Sequence, residues 1–173
     1  FISKINISSL LKNFSDSSVE DMYEWCKLLE RLAYAYDAAE RAEFGELLKT
    51  PLTAKSCKIT VATVAEFYYS LAEMFYVNPD LILELLEKNI DNFNALCMSK
   101  IEEAIDALDF HFIDYVCGIS HFSTRRPSKQ QRAFSKKFVK ALPIIPIANY
   151  ISDSLPRNWH RIFDIGLLLC RED

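Results

Sequence analysis

Glycine and proline are scarce in this sequence, with three and six residues in a chain of 173. A many-stranded β sandwich or barrel builds its tight turns from those residues, so helix is favoured before any periodicity is considered. Long apolar runs are missing too. The stretch Leu81 to Leu86 is interrupted by Glu84 and followed by Glu87, which falls short of the roughly eighteen apolar residues of a membrane-crossing helix. The five cysteines (Cys26, Cys57, Cys97, Cys117 and Cys170) include no close pair. Such an odd, dispersed set is read as buried thiols in a reducing compartment, not as a disulfide framework. No Gly-rich phosphate loop, Walker pattern, G-x-S-x-G elbow or paired metal motif is found, so neither an enzyme nor a bound cofactor or metal is expected. The first residue is Phe1, not methionine, and we expect an amino-terminal segment, with any targeting peptide, to lie outside this sequence.

Half of the residues are apolar, enough for a real core. Ser17 and Glu20 form a capping-box pattern that opens a helix carrying Val19, Met22, Tyr23, Cys26, Leu29, Leu32 and Ala33 at three- and four-residue spacing. A second helix is predicted from Ala38 to Leu48, ended by Pro51 because the residue before a proline is pushed out of the helical region. A third spans Thr60 to Tyr76 and sends Tyr68 and Phe75 inward. Asn78-Pro79-Asp80 restarts the chain into a fourth helix reaching Phe93, since Asn78 can cap and proline loses no bond in the first turn. A fifth opens at Ser99, boxed with Glu102, and runs toward Val116. Val19, Val61 and Ile101 hold equivalent places in these helices, at offsets of 42 and 40 residues. That spacing suggests stacked helical hairpins, each covering the apolar face of the next.

Beyond His121 the texture changes. Ser123 to Pro127 is read as a loop, Ser128 boxed with Gln131 opens a basic helix to Leu142, Pro143 and Pro146 bracket a short extended piece, and Pro156 starts a final capping helix. Through Gly118 twenty acidic residues face ten basic ones, whereas from Ile119 ten basic residues face four acidic. We therefore expect residues 1–118 to form an acidic hairpin-repeat region, with 119–173 a basic helical segment packing on the same domain.

Arg125, Arg126, Lys129, Arg132, Lys136, Lys137 and Lys140 are the candidate binding residues. No carboxylate lies between Tyr115 and Ser152, so the segment cannot neutralise itself. On a helix, Lys129, Arg132 and Lys136 follow at three- and four-residue steps, while Ala133, Phe134, Phe138 and Val139 can face the core. Such a row suits RNA phosphates or an acidic protein surface equally well. Cys117 with His121, and His111 with Asp114, have spacings used by metals and by acid–base pairs, but each lacks the further ligands or nucleophile such chemistry needs.

The stretch TVATVAEFYYSLAEMFYVNPDLILELLEKNIDNFNALCMSKIEEAIDALDF, Thr60 to Phe110, resembles the degenerate helix-pair repeats of organellar RNA-associated proteins, the octotricopeptide-like and heptatricopeptide-like repeats found with RAP domains. Asn78-Pro79-Asp80-Leu81 stands where those repeats place a short linker and an aspartate-leucine helix start. The RAP signature is not in the chain. The resemblance implies an all-α, α-solenoid-like protein of mitochondrial or plastid RNA metabolism, with a mitochondrial location foremost and a cytoplasmic one as the alternative. Its partners would be RNA and the protein subunits of a larger complex. The alternative is a protein–protein adaptor with no nucleic-acid contact.

Overall fold

The computed structural model describes residues 6–119, 126–154 and 159–170. Among these residues the regular structure is all helix, with no strand.

Asn6 caps α1 (Ile7–Asp16) by accepting from the Ser9 amide at 3.0 Å. The sequence places no helix here and opens the first one at Ser17. Instead Ser17 closes α1: its hydroxyl donates to Phe14 O at 2.8 Å, and its carbonyl accepts from the buried Lys55 Nζ at 2.8 Å. Serine satisfies orphan carbonyls at a helix end as readily as orphan amides at a start, so the box pattern alone cannot tell the two apart. α2 (Met22–Tyr34) begins after a turn in which Ser18 Oγ accepts from the Asp21 amide. α3 (Ala38–Leu47) starts as predicted, from a capping box between Asp37 and Glu40.

Pro51 does not stop the chain. It is the third residue of α4 (Lys49–Ser56), inside the first turn, where a missing amide leaves no helical bond unmade. α5 (Val64–Glu73) is shorter than its predicted span. α6 (Pro79–Lys88) opens at Asn78, whose Oδ1 accepts from the Leu81 amide at 3.3 Å. The predicted continuation to Phe93 is cut at Asn89. Its buried amide group donates to Ser56 Oγ at 2.9 Å and to Leu85 O at 3.1 Å, a local bond that competes with the helix ladder, and α7 (Ile90–Ser99) follows at once.

Ser99 caps nothing; its hydroxyl bonds back to Ala95 O at 3.0 Å. α8 (Ile101–Ala107) ends well short of Val116, and the chain resumes in a π-helical turn, Phe112–Val116, after Asp109 Oδ1 accepts from the Phe112 amide. α9 (Lys129–Ala141) is the predicted basic helix. Pro143 ends it by forcing Leu142 into extended backbone (ψ 140). The expected extended piece is then helix: α10 (Ile144–Ser154) carries Pro146 in its first turn, tolerated there as in α4. α11 (Trp159–Leu169) follows, packing on α9 and the π-helical turn. The loop residues Ser123 and Thr124 and the helix start at Pro156 lie outside the described residues.

α5 is the hub of the packing, touching α2, α6, α7, α8 and the π-helical turn. Tyr68, fully buried on it, stacks on Phe93 at 4.5 Å and on Phe112 at 5.6 Å, and donates its hydroxyl to Leu86 O at 2.7 Å. Burial of three rings with a satisfied hydroxyl stabilises this part of the core. On α3, a Cβ at Gly45 would come within 2.9 Å of Val77 O. Only glycine lets α3 approach the α6 cap that closely, and Asn78 Nδ2 seals the approach by donating to Gly45 O at 3.2 Å. Of the cysteines, Cys26, Cys97 and Cys117 are buried, while Cys57 and Cys170, expected inside, are exposed; all five are free.

Candidate nucleic-acid interface

α9 is fixed at its start by the reciprocal box foreseen in the sequence: Ser128 Oγ accepts from the Gln131 amide at 3.0 Å and Gln131 Oε1 from the Ser128 amide at 2.7 Å. Gln131 also ties the helix to the π-helical turn, donating Nε2 to Tyr115 O at 2.7 Å. Its inner face is aromatic. Phe134 and Phe138 are buried and stack at 5.5 Å, and Phe138 lies 5.5 Å from both Phe93 and Phe112. Ala133, expected on that face, is exposed, because it sits one step around the helix on the side toward α6.

The outer face carries Lys129, Arg132, Lys136 and Lys140, all exposed, along about 16 Å of helix axis at 1.5 Å per residue. The structure thus brings four of the seven predicted residues into one strip. Arg126 is exposed in the segment leading into the helix. Lys137 departs from the strip and pairs with Glu87 on α6. Arg125 lies outside the described residues.

The strip has an acidic border. Asp80, Glu84 and Glu87 of α6 line a groove of about 230 Å³ against Gln130, Ala133 and Phe134. Lys88, 2.9 Å from Glu84, holds that carboxyl below its ordinary range by hydrogen bond and charge. Of these carboxylates Glu84 and Glu87 are each paired with a lysine.

At the amino-terminal end of the strip lies a second cleft, also about 230 Å³, walled by Tyr76 and Tyr115 and closed by Asp114, Arg126, Pro127 and Gln131. The two tyrosine rings stand 4.8 Å apart at 56°. Burial, reinforced by the Asp114 carboxylate, pushes the Tyr115 phenol above its ordinary value. Gly118 makes the enclosure possible: its φ is +65, and a Cβ there would come within 2.5 Å of Pro127 Cβ. Sequence reasoning ended the third helix at Tyr76 and gave Tyr115 no role. The available signal was the pair Gly118 and Pro127, punctuation that brings two distant segments together.

Other candidates are weaker. Glu66, Glu103 and Asp106 line a groove of about 370 Å³ between α5 and α8, and burial raises the Glu66 carboxyl, opposed by its bond from Ser70. Among the described residues no group of three His, Cys, Asp or Glu side chains could hold a metal ion. The His111 ring packs 5.2 Å from Tyr115, and His121 lies outside the described residues. No described helix is long and apolar enough to cross a membrane.

No protein-family model matches this chain, and no curated protein and no solved structure matches it.

Proposed function

We propose that this chain is a non-catalytic, all-α subunit that docks on RNA or on an RNA–protein assembly, meeting phosphates with α9 and other subunits with its hairpin surface. One observation carries this reading: Lys129, Arg132, Lys136 and Lys140 form an exposed strip on a helix whose opposite face is locked into the aromatic core. A strip on a rigid support keeps its charges in register, so phosphates are met without ordering a flexible segment first. The hairpin-repeat reading is supported by two files of neighbours, α2 with α5 with α8, and α4 with α6 with α9. The resemblance of Thr60 to Phe110 to organellar repeats favours a mitochondrial setting.

Filter binding to RNA across a salt series tests the claim. Each phosphate met by the strip adds about −0.7 to the slope of log affinity against log salt for a single strand. Replacing Lys129, Arg132 and Lys140 together with glutamine should flatten that slope by about two. An affinity indifferent to salt, or to the triple replacement, removes RNA from the proposal.

The adaptor reading has its own observation: Lys137 already pairs with Glu87, so this helix engages carboxylates within the chain. On that reading, partners captured by the chain stay bound after nuclease treatment, and the triple replacement releases them.

A further inference from the structure

α2 stands at the end of the file it forms with α5 and α8, and a terminal helix keeps a stack soluble only if its outer side is polar or covered. The outer side of α2 is not wholly polar. Leu28 is 43% exposed there, turned away from the buried side that carries Met22, Cys26 and Leu29. Its neighbours on the helix surface, three and four places before and after it, are Glu24, Trp25, Arg31 and Leu32. At about 100° per residue, Trp25 and Leu32 fall on one flank of Leu28 and Glu24 and Arg31 on the other. The first two are partly buried and the second two exposed.

We propose that this face pairs with the same face of a second copy of the chain, α2 running antiparallel to α2 about a two-fold axis beside Leu28. Such an axis keeps each flank on its own side and reverses the order of residues along it. Leu28 then meets Leu28 of the second copy, Trp25 meets Leu32, and Glu24 meets Arg31, the last two contacts each made twice. Parallel order would instead lay the charged flank on the apolar one, leaving Glu24 and Arg31 desolvated without a partner. Within one chain these two cannot satisfy each other, because seven residues separate them by about 10 Å along the axis. No ion pair among the described residues holds either. A partner with a patch of one charge would suit only one of them, whereas a second copy brings the complement of both. α9 lies in the other file, so the pairing does not use the basic strip and stands apart from the RNA reading.

The test is sedimentation equilibrium of the full chain without RNA, at low salt and at concentrations up to about 1 mM, since a single helix pair is a small interface. A monomer–dimer equilibrium is expected. Leu28→Asp enters the interface twice and should weaken association about tenfold or more, with thermal unfolding unchanged because the side chain is exposed. Glu24→Arg alone and Arg31→Glu alone should each weaken it about fivefold or more, since both ion pairs become like-charged. An equimolar mixture of those two variants should recover the association of the parent, because in the mixed pair every arginine faces a glutamate. A chain that stays monomeric throughout, or a dimer indifferent to Leu28→Asp, overturns the proposal. A mixture no better associated than its components overturns the antiparallel pairing.

Discussion

Gly118 shows how much can hang on a single residue. Its left-handed backbone ends the π-helical turn, letting the Ile119 amide reach back to Ile113 O at 3.0 Å, and its missing side chain admits Pro127. Alanine would meet both obstacles at once. The backbone conformation alone costs about 1–2 kcal/mol for an L residue, and the 2.5 Å contact with the rigid proline ring cannot be relieved by a rotamer change. Gly118→Ala should therefore lower the urea midpoint by more than the backbone cost alone predicts. A variant as stable as the parent would show that the segment from Arg126 to Ser128 moves freely.

At the scale of the element, α9 was legible and α1, α4 and α10 were not, for one physical reason. Where a cap, an apolar face and a proline stop agree, as with Ser128, Phe134 with Phe138, and Pro143, the local signals point to a single answer. Pro51 and Pro146 carry a double meaning: proline ends a helix from outside but is welcome in the first turn. Only the surrounding packing decides between them. Asn89 and Ser99 likewise use side-chain bonds to their own backbone that no pattern of apolar residues announces. The seven candidate cations were found by charge alone, and charge alone could not say that Lys137 turns to Glu87 while Lys129, Arg132, Lys136 and Lys140 stay in file. The tyrosine cleft escaped because its walls come from segments far apart in the chain. The anchoring of α9 can be measured. Phe138→Ala should cost about 3–5 kcal/mol in denaturant unfolding, the usual range for emptying a buried aromatic site, while Lys140→Ala on the outer face should stay within about 0.5 kcal/mol. Near-equal effects would mean that α9 is not docked on Tyr68, Phe93 and Phe112.

For the whole molecule, the separation of charge sets how stability follows pH. Burial raises the carboxyls of Glu66 and of Glu30, the latter reinforced by the charge of Glu73. A carboxyl whose folded value exceeds its unfolded one leaves the native state holding more protons, so these two groups make stability fall as pH rises through and above the ordinary carboxylate range. Glu84 works in the opposite direction: lowered by Lys88, it contributes stability that is present above its unfolded value and lost as pH falls through its folded one. That pair is exposed and contributes little. The two raised groups therefore dominate, and the twenty acidic residues through Gly118 repel one another less as protons are added. The thermal midpoint should accordingly be higher near about pH 5 than near about pH 7.5. Glu66→Gln should raise the midpoint at the higher pH and change it little below about pH 4, where the native carboxyl is already protonated. A midpoint that climbs steadily from acid to neutral, or a Glu66→Gln gain that is the same at every pH, would mean that favourable pairing of carboxylates outweighs their burial in this fold.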